Sequence, residues 1–103
     1  MSTFGEIIKS EKPVLIDFYA DWCQPCKMLA PILQDVSKQM GDRVKIIKID
    51  VDRNPELAGA LQIQGVPTLM VFQEGEAKWR QSGVIPAHQL VPILEQFTIE
   101  EQA

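Results

Sequence analysis

Apolar positions along the chain follow two spacings, one typical of strands buried on both faces and one of amphipathic helices. Residues 14–20, Val-Leu-Ile-Asp-Phe-Tyr-Ala, form an almost unbroken apolar run in which Asp17 is the only charge, the pattern of a strand covered on both sides. Met28, Leu29, Ile32, Leu33, Val36 and Met40 then recur at helical spacing until Gly41 ends the pattern. Pro31 lies inside that helix, where its missing N–H should kink it. Residues 44–50 predict a second strand. Before the first strand, Thr3 and Glu6 fit a capping box, and Phe4, Ile7 and Ile8 predict a short helix over 4–10. After the second strand, Asn54 and Pro55 suit the N-cap and first turn of a helix over 55–61. Two further strands, 68–72 and 77–82, are joined through Glu74-Gly75-Glu76, a hairpin signal. Pro86 opens a last helix with Leu90, Ile93, Leu94 and Phe97 on one face and Pro92 in its interior; the final residues should fray.

The order α-β-α-β-α-β-β-α predicts an α/β domain, residues 1–103, with a four-stranded mixed sheet covered by helices on both faces. The first strand, helix and second strand read as a right-handed parallel crossover. Composition agrees with a globular domain: 103 residues, 46% apolar and 23% charged. The net charge of −4 and the absence of any Lys/Arg cluster give no support to a nucleic-acid or anionic-membrane surface. No apolar run approaches the length of a membrane span. The first residues lack a basic region followed by an apolar one, so no signal peptide is read there and a cytoplasmic protein is expected.

The chain has two cysteines, Cys23 and Cys26, spaced C-x-x-C. Such a pair closes too small a loop to stabilise a fold much, and a secreted disulfide scaffold would carry more. Their placement suggests chemistry. Cys23 stands where a buried strand ends and a helix begins, and the N–H groups and dipole at a helix N-terminus favour an anion there, here the thiolate. Cys26, one turn further in, should be less exposed and placed to attack a mixed disulfide formed at Cys23. That two-step exchange needs no cofactor. Two other readings exist. A zinc site needs about four ligands, and His88 is the only further candidate; two inert buried cysteines suit a strand-to-helix turn poorly. Asp17 adds to the case, because a carboxylate in a buried apolar strand is costly without a partner or a task.

Residues 17–27, Asp-Phe-Tyr-Ala-Asp-Trp-Cys-Gln-Pro-Cys-Lys, resemble the active-site signature of the thioredoxin family. Asp52-Arg53-Asn54-Pro55, Gly65-Val66-Pro67-Thr68-Leu69, Phe72 with Gly75, and Gly83 match its other landmarks in order. The resemblance covers nearly the whole chain. It implies a thioredoxin-like fold and a protein-disulfide oxidoreductase that carries electrons in cell redox homeostasis, reducing protein disulfides and recycled by a separate reductase. It also implies a monomer with no bound metal. Cys23 then corresponds to the attacking thiol and Cys26 to the resolving thiol. Asp17 corresponds to the carboxylate handling the proton of the resolving cysteine, and Lys48 to its charged neighbour. Val66-Pro67 corresponds to a cis-proline loop whose backbone pairs with extended substrate, bordered by Trp22, Gln24, Pro25, Gly65 and Gly83.

Two departures from the family pattern stand out. Gln24 replaces the glycine usual after the first cysteine, which bears on redox potential and partner choice. There is no room for a strand before the first helix, so residues 44–50 should lie at the sheet edge, with Lys45 and Lys48 discouraging sheet extension. A lowered thiol pKa alone does not make a catalyst. For thioredoxins, the standard example, it falls to about 7 from about 8.5. The thiolate fraction at pH 7 rises about 16-fold while nucleophilicity falls about 6-fold, a net gain of about 3-fold. Orientation and docking must supply the rest. A disulfide oxidase or isomerase remains a competing function, although Pro25 stands where those relatives more often have His. A binding module using the proline loop as a docking face is another.

Overall fold

The computed structural model describes residues 3–98, so the reading of frayed terminal residues lies outside them. The elements are α1 (Phe4–Ile7), β1 (Val14–Tyr19), α2 (Gln24–Met40), a 3-10 turn (Gly41–Arg43), β2 (Lys45–Asp50), α3 (Pro55–Ala60), β3 (Thr68–Gln73), β4 (Glu76–Ser82) and α4 (Ala87–Glu95). The sheet order is β2-β1-β3-β4. β1 runs parallel to β2 and antiparallel to β3, which pairs antiparallel with β4. The mixed four-stranded α/β sheet read from the sequence is therefore the observed fold, without a strand ahead of α1 among the described residues.

β1 is central and buried on both faces, which explains its uninterrupted apolar run. Leu15 points into the larger core with Leu29, Leu33 and Val36 of α2, Leu69 and Val71 of β3, and Leu90 and Leu94 of α4. Val14, Ile16 and Phe18 point the other way and pack with Met70 and Phe72 under α1 and α3. Val14, Leu15, Ile16 and Phe18 are all fully buried. At about 1.5–3 kcal/mol per fully buried large side chain, this strand contributes a large share of the hydrophobic driving force. On α4, Val91 rather than the expected Ile93 joins Leu90 and Leu94 against the core. On α2, Met28 faces solvent while Leu29, Leu33, Val36 and Met40 are buried.

Several boundaries differ from the sequence reading for local reasons. The capping box forms as expected, with Glu6 N–H donating to Thr3 Oγ1 and Thr3 N–H to Glu6 Oε1. α1 nevertheless stops at Ile7: Lys9 N–H turns to the Glu6 carbonyl, three residues back, and the carbonyls of Ile8 and Ser10 accept from Gly75 and Glu74 of the β3–β4 turn. That turn is tighter than read. Only Glu74 and Gly75 lie outside the strands, both at positive φ (52° and 85°), as a two-residue hairpin turn requires. Asn54 occupies the N-cap of α3 without capping it; its side-chain amide instead donates to the Asp50 carbonyl. α3 ends early, where Gln62 adopts a positive φ of 56° and Arg80 donates to the carbonyls of Leu61 and Gln62.

β2 is an edge strand, and a parallel ladder uses only alternate amides of such a strand. Lys45 N–H donates to Pro13 and Val51 N–H to Tyr19, so the amides of Ile46 and Lys48 point outward. Residue-resolved hydrogen exchange should show Ile46 and Lys48 exchanging far faster than Ile47, Ile49 and the β1 amides. Deep protection of Ile46 and Lys48 in a dilute sample would show that the edge is covered.

Candidate active site

Cys23 is the N-cap of α2. It keeps an extended backbone (φ −91°, ψ 110°) delivered by the end of β1, and its Sγ accepts a hydrogen bond of 3.1 Å from the backbone N–H of Cys26. The sulfur thus occupies the position that a Ser or Asp oxygen fills in an ordinary N-cap. Cys23 and Cys26 are joined in a disulfide with Cα atoms 5.3 Å apart. Both cysteines are buried, 3% and 5% exposed. The expectation that Cys26 is the less exposed does not hold in this oxidised form, because Tyr19, Val51 and Val66 pack over the pair together. Gln24 and Pro25 are exposed on the first turn of α2, and the donor to Cys23 Sγ is the peptide N–H of Cys26, not the Gln24 amide.

The loop before β3 lies beside the disulfide. The Val66–Pro67 peptide bond is cis, and Val66 packs against the cysteine cluster. Thr68 and Gly83 fix this loop. Thr68, fully buried, donates its hydroxyl to the Gly65 carbonyl at 2.6 Å and lies 3.0 Å from the Ser82 hydroxyl. Gly83, at φ +100°, donates its N–H to the Pro67 carbonyl at 2.9 Å; that backbone conformation strains any residue with a Cβ. Trp22, Gly65 and Val66 line a small cavity of about 100 Å³ with Val51 and Ile63. The Trp22 ring is 69% exposed but anchored, its indole N–H donating to Asp52 Oδ2 at 2.9 Å. Asp50, which the sequence reading gave no role, holds that partner in place: its Oδ1 accepts from the N–H groups of Asp52 (2.8 Å) and Arg53 (3.3 Å). An Asp two residues before another polar turn residue is an Asx-turn signal, so Asp50 was open to discovery from the sequence.

Asp17 sits on the face of β1 that carries Leu15, fully buried, and neither carboxyl oxygen has a hydrogen-bond partner. Burial pushes its pKa up from 3.8 to about 6, partly opposed by the positive charge of Lys48, its partner across the β1–β2 ladder. Lys48 is itself exposed, with Nζ 4.9 Å from the centre of the Tyr19 ring. The sequence-predicted residues therefore fall into three adjoining groups: the CxxC turn with Trp22, the Gly65–Pro67 loop tied to Gly83, and the Asp17–Lys48 pair. His88 is apart from them, in a groove of about 480 Å³ with Pro31, Ile32, Asp35 and Gln39. Among the described residues no three His, Cys, Asp or Glu side chains come close enough to hold a metal ion, and no helix is long and apolar enough to cross a membrane.

Residues 1–96 match the family model described as Thioredoxin. The chain is 45% identical over 95 residues to thioredoxin Y, chloroplastic, of Oryza sativa subsp. japonica, covering 91% of this chain and 56% of that protein. It is 45% identical over 89 residues to thioredoxin 1 of Chlorobaculum tepidum, covering 85% and 88% of the two chains. The chain thus spans just over half of the rice protein but most of the bacterial one. Among solved structures it resembles chloroplastic thioredoxin z, with a TM-score of 0.77 and 41% identity over 84% of this chain and 79% of that one.

The buried carboxyl has a measurable consequence. A raised pKa means that the unfolded chain ionises more readily than the folded one. The fold is therefore free of this penalty below pH ~4, loses stability as pH rises through the interval from about 4 to 6, and carries the full cost above it. The two values, 3.8 and about 6, correspond to about 3 kcal/mol. Asp17→Asn should be more stable than wild type in urea at pH 8, by roughly 1–3 kcal/mol, with the difference fading towards pH 4. Equal stability of the two proteins at pH 8 would show that the carboxylate has found a partner.

Proposed function

The chain belongs to the thioredoxin family and is a thiol–disulfide oxidoreductase, and within that class we propose that it acts as a reductant of protein disulfides through Cys23 and Cys26. The observation that carries this reading is the Cys23 sulfur capping α2 beside the Val66–Pro67 loop. In the reduced protein the Cys23 thiolate attacks one sulfur of a substrate disulfide, forming a mixed disulfide and expelling the other substrate sulfur as a thiolate. Cys26 then loses its proton and attacks Cys23 Sγ, which releases the second substrate thiolate and closes the disulfide seen here. The substrate gains two electrons and the protein dithiol loses them; a separate reductase with a dithiol or equivalent donor returns them.

Asp17 is the proton acceptor for Cys26. With a pKa near 6 its carboxylate is mostly ionised at pH 7 yet basic enough to take part, as general base catalysis favours. Lys48 keeps that carboxylate from being still harder to ionise. Trp22, Gln24, Pro25, Gly65, Val66, Pro67 and Gly83 form the docking rim, with exposed Trp22 and Val84 (38% exposed) supplying apolar surface and the loop backbone supplying hydrogen bonds to an extended segment. The partners are proteins with exposed disulfides and the reductase. This chain, read as one thioredoxin domain over residues 1–103, works as a monomer in a reducing compartment such as the cytoplasm; its relatives include chloroplastic and bacterial proteins.

Insulin reduction driven by a chemical dithiol tests the reading. Wild type should be active and Cys23→Ser inactive, whereas Cys26→Ser should accumulate a mixed disulfide at Cys23. Equilibration with glutathione should place the potential nearer the −270 mV of thioredoxins than the −120 mV of a strong oxidant. A value above about −200 mV would favour the oxidase or isomerase reading.

A further inference from the structure

Lys48 is exposed, and a lysine ammonium on an exposed edge strand is ordinarily drawn into water on a flexible four-carbon stem. Here it is not free to wander. Its Nζ lies 4.9 Å from the centre of the Tyr19 ring, within the range of a cation–π contact. Tyr19 is two residues beyond Asp17 on β1, hence on the same face, and Lys48 is the ladder partner of Asp17 on β2. The same tyrosine packs against Ala20, Cys23 and Cys26. Tyr19, Lys48 and Cys26 together border a pocket of about 230 Å³, while a second pocket of about 240 Å³ opens on the far side of Lys48, past Ala30, Leu33 and Ile46. The ammonium is not seated on the carboxylate, since neither Asp17 oxygen has a hydrogen-bond partner.

We infer that Tyr19 is a positioning residue whose ring holds the Lys48 ammonium on the Cys26 side of the strand, so that its charge acts on the Asp17 carboxylate without neutralising it. The inference rests on the proposed role of Asp17 as proton acceptor for Cys26. A cation kept nearby favours the ionised carboxylate; a cation bonded directly to it would weaken it as a base. Without the ring, the ammonium turns to solvent and its influence on Asp17 falls. The other charged or titratable groups around the pocket are Asp21 and Lys27, both exposed, and Cys26. Asp50 stands opposite Tyr19 on β2, and β3 places only Leu69 opposite Asp17.

Two measurements on Tyr19→Leu, Tyr19→Phe and Lys48→Gln decide the matter. One is the Asp17 carboxyl titration by carbon NMR in the reduced protein. The other is the pH dependence of release of an aromatic thiol held as a mixed disulfide on Cys23, which reports attack by Cys26. Tyr19→Leu should move the Asp17 midpoint up by about 0.3–0.7 pH and slow release about two- to fivefold near pH 5, where the ionised fraction limits the rate, and far less near pH 7. Lys48→Gln should give at least as large a shift, and combining the two should add nothing. Tyr19→Phe, which keeps the ring face, should restore wild-type values. If Tyr19→Leu does not fold, Tyr19→Met takes its place. An unchanged or lower midpoint without the ring, or equal shifts in the Phe and Leu variants, would overturn the inference. Release in wild type that ignores Asp17 ionisation would instead remove the proton-acceptor role, and the NMR midpoints would still decide whether Tyr19 positions the charge.

Discussion

The hydrogen bond from the Cys26 N–H to the Cys23 sulfur is the contact on which the site depends. It is possible only because β1 ends at Tyr19 and the chain needs four further residues, with Cys23 N–H bonded back to the Ala20 carbonyl, before α2 begins. Cys23 is thereby fixed at the one point of the helix where backbone donors are unspent and the dipole is positive. The magnitudes are consistent. A hydrogen bond to a charged acceptor contributes about 1.5–3 kcal/mol and the dipole about 0.3–1 kcal/mol, while lowering a thiol pKa from about 8.5 to about 7 needs about 2 kcal/mol. No additional cation is required, which fits a turn whose remaining side chains are Gln24 and Pro25.

The packing that makes β1 an anchor also sets the cost of Asp17. Leu15 and Asp17 share a face of the strand, and α2 covers the sheet there with Leu29, Leu33 and Val36. The apolar cover that holds the helix start against the strand removes water from the carboxyl and raises its pKa. Stability given up at neutral pH thus goes with a carboxyl whose pKa is about 6, the group proposed as the proton acceptor for Cys26. Lys48 tempers that cost from the edge strand, where a long side chain can approach without being buried itself.

Much of this was legible in the sequence, and for definite reasons. Residues 14–20 announced a strand buried on both faces because nearly every position was apolar, and the one exception, Asp17, was conspicuous for the same reason. Cys23 stood out by its place between a strand pattern and a helix pattern, and β2 lies at the edge of the described sheet, as expected from a sequence with no strand pattern ahead of Phe4. What was not legible depends on contacts distant in sequence. Thr68 was legible as part of the Gly65–Leu69 landmark and the start of a strand, but not its hydroxyl's reach to Gly65 and Ser82 at once. The segment after α1, read as helix, instead joins the β3–β4 turn more than sixty residues later through the carbonyls of Ile8 and Ser10. Asn54 had the composition of a cap, but the Asp50 carbonyl was the better partner. The relative exposure of the two cysteines could not be read from helix position, since the cover comes from Val51 and Val66.

The ionisation of Cys23 in the reduced protein is the most direct measurement of the helix-cap origin of reactivity. The rate of alkylation by iodoacetamide, followed by mass spectrometry across pH 5 to 10, gives both the site and the midpoint. Cys23 should be labelled first, with a midpoint near 7 as in other helix-capping thiols of this family. A midpoint near 8.5, the value of a free cysteine, or preferential labelling of Cys26, would contradict it.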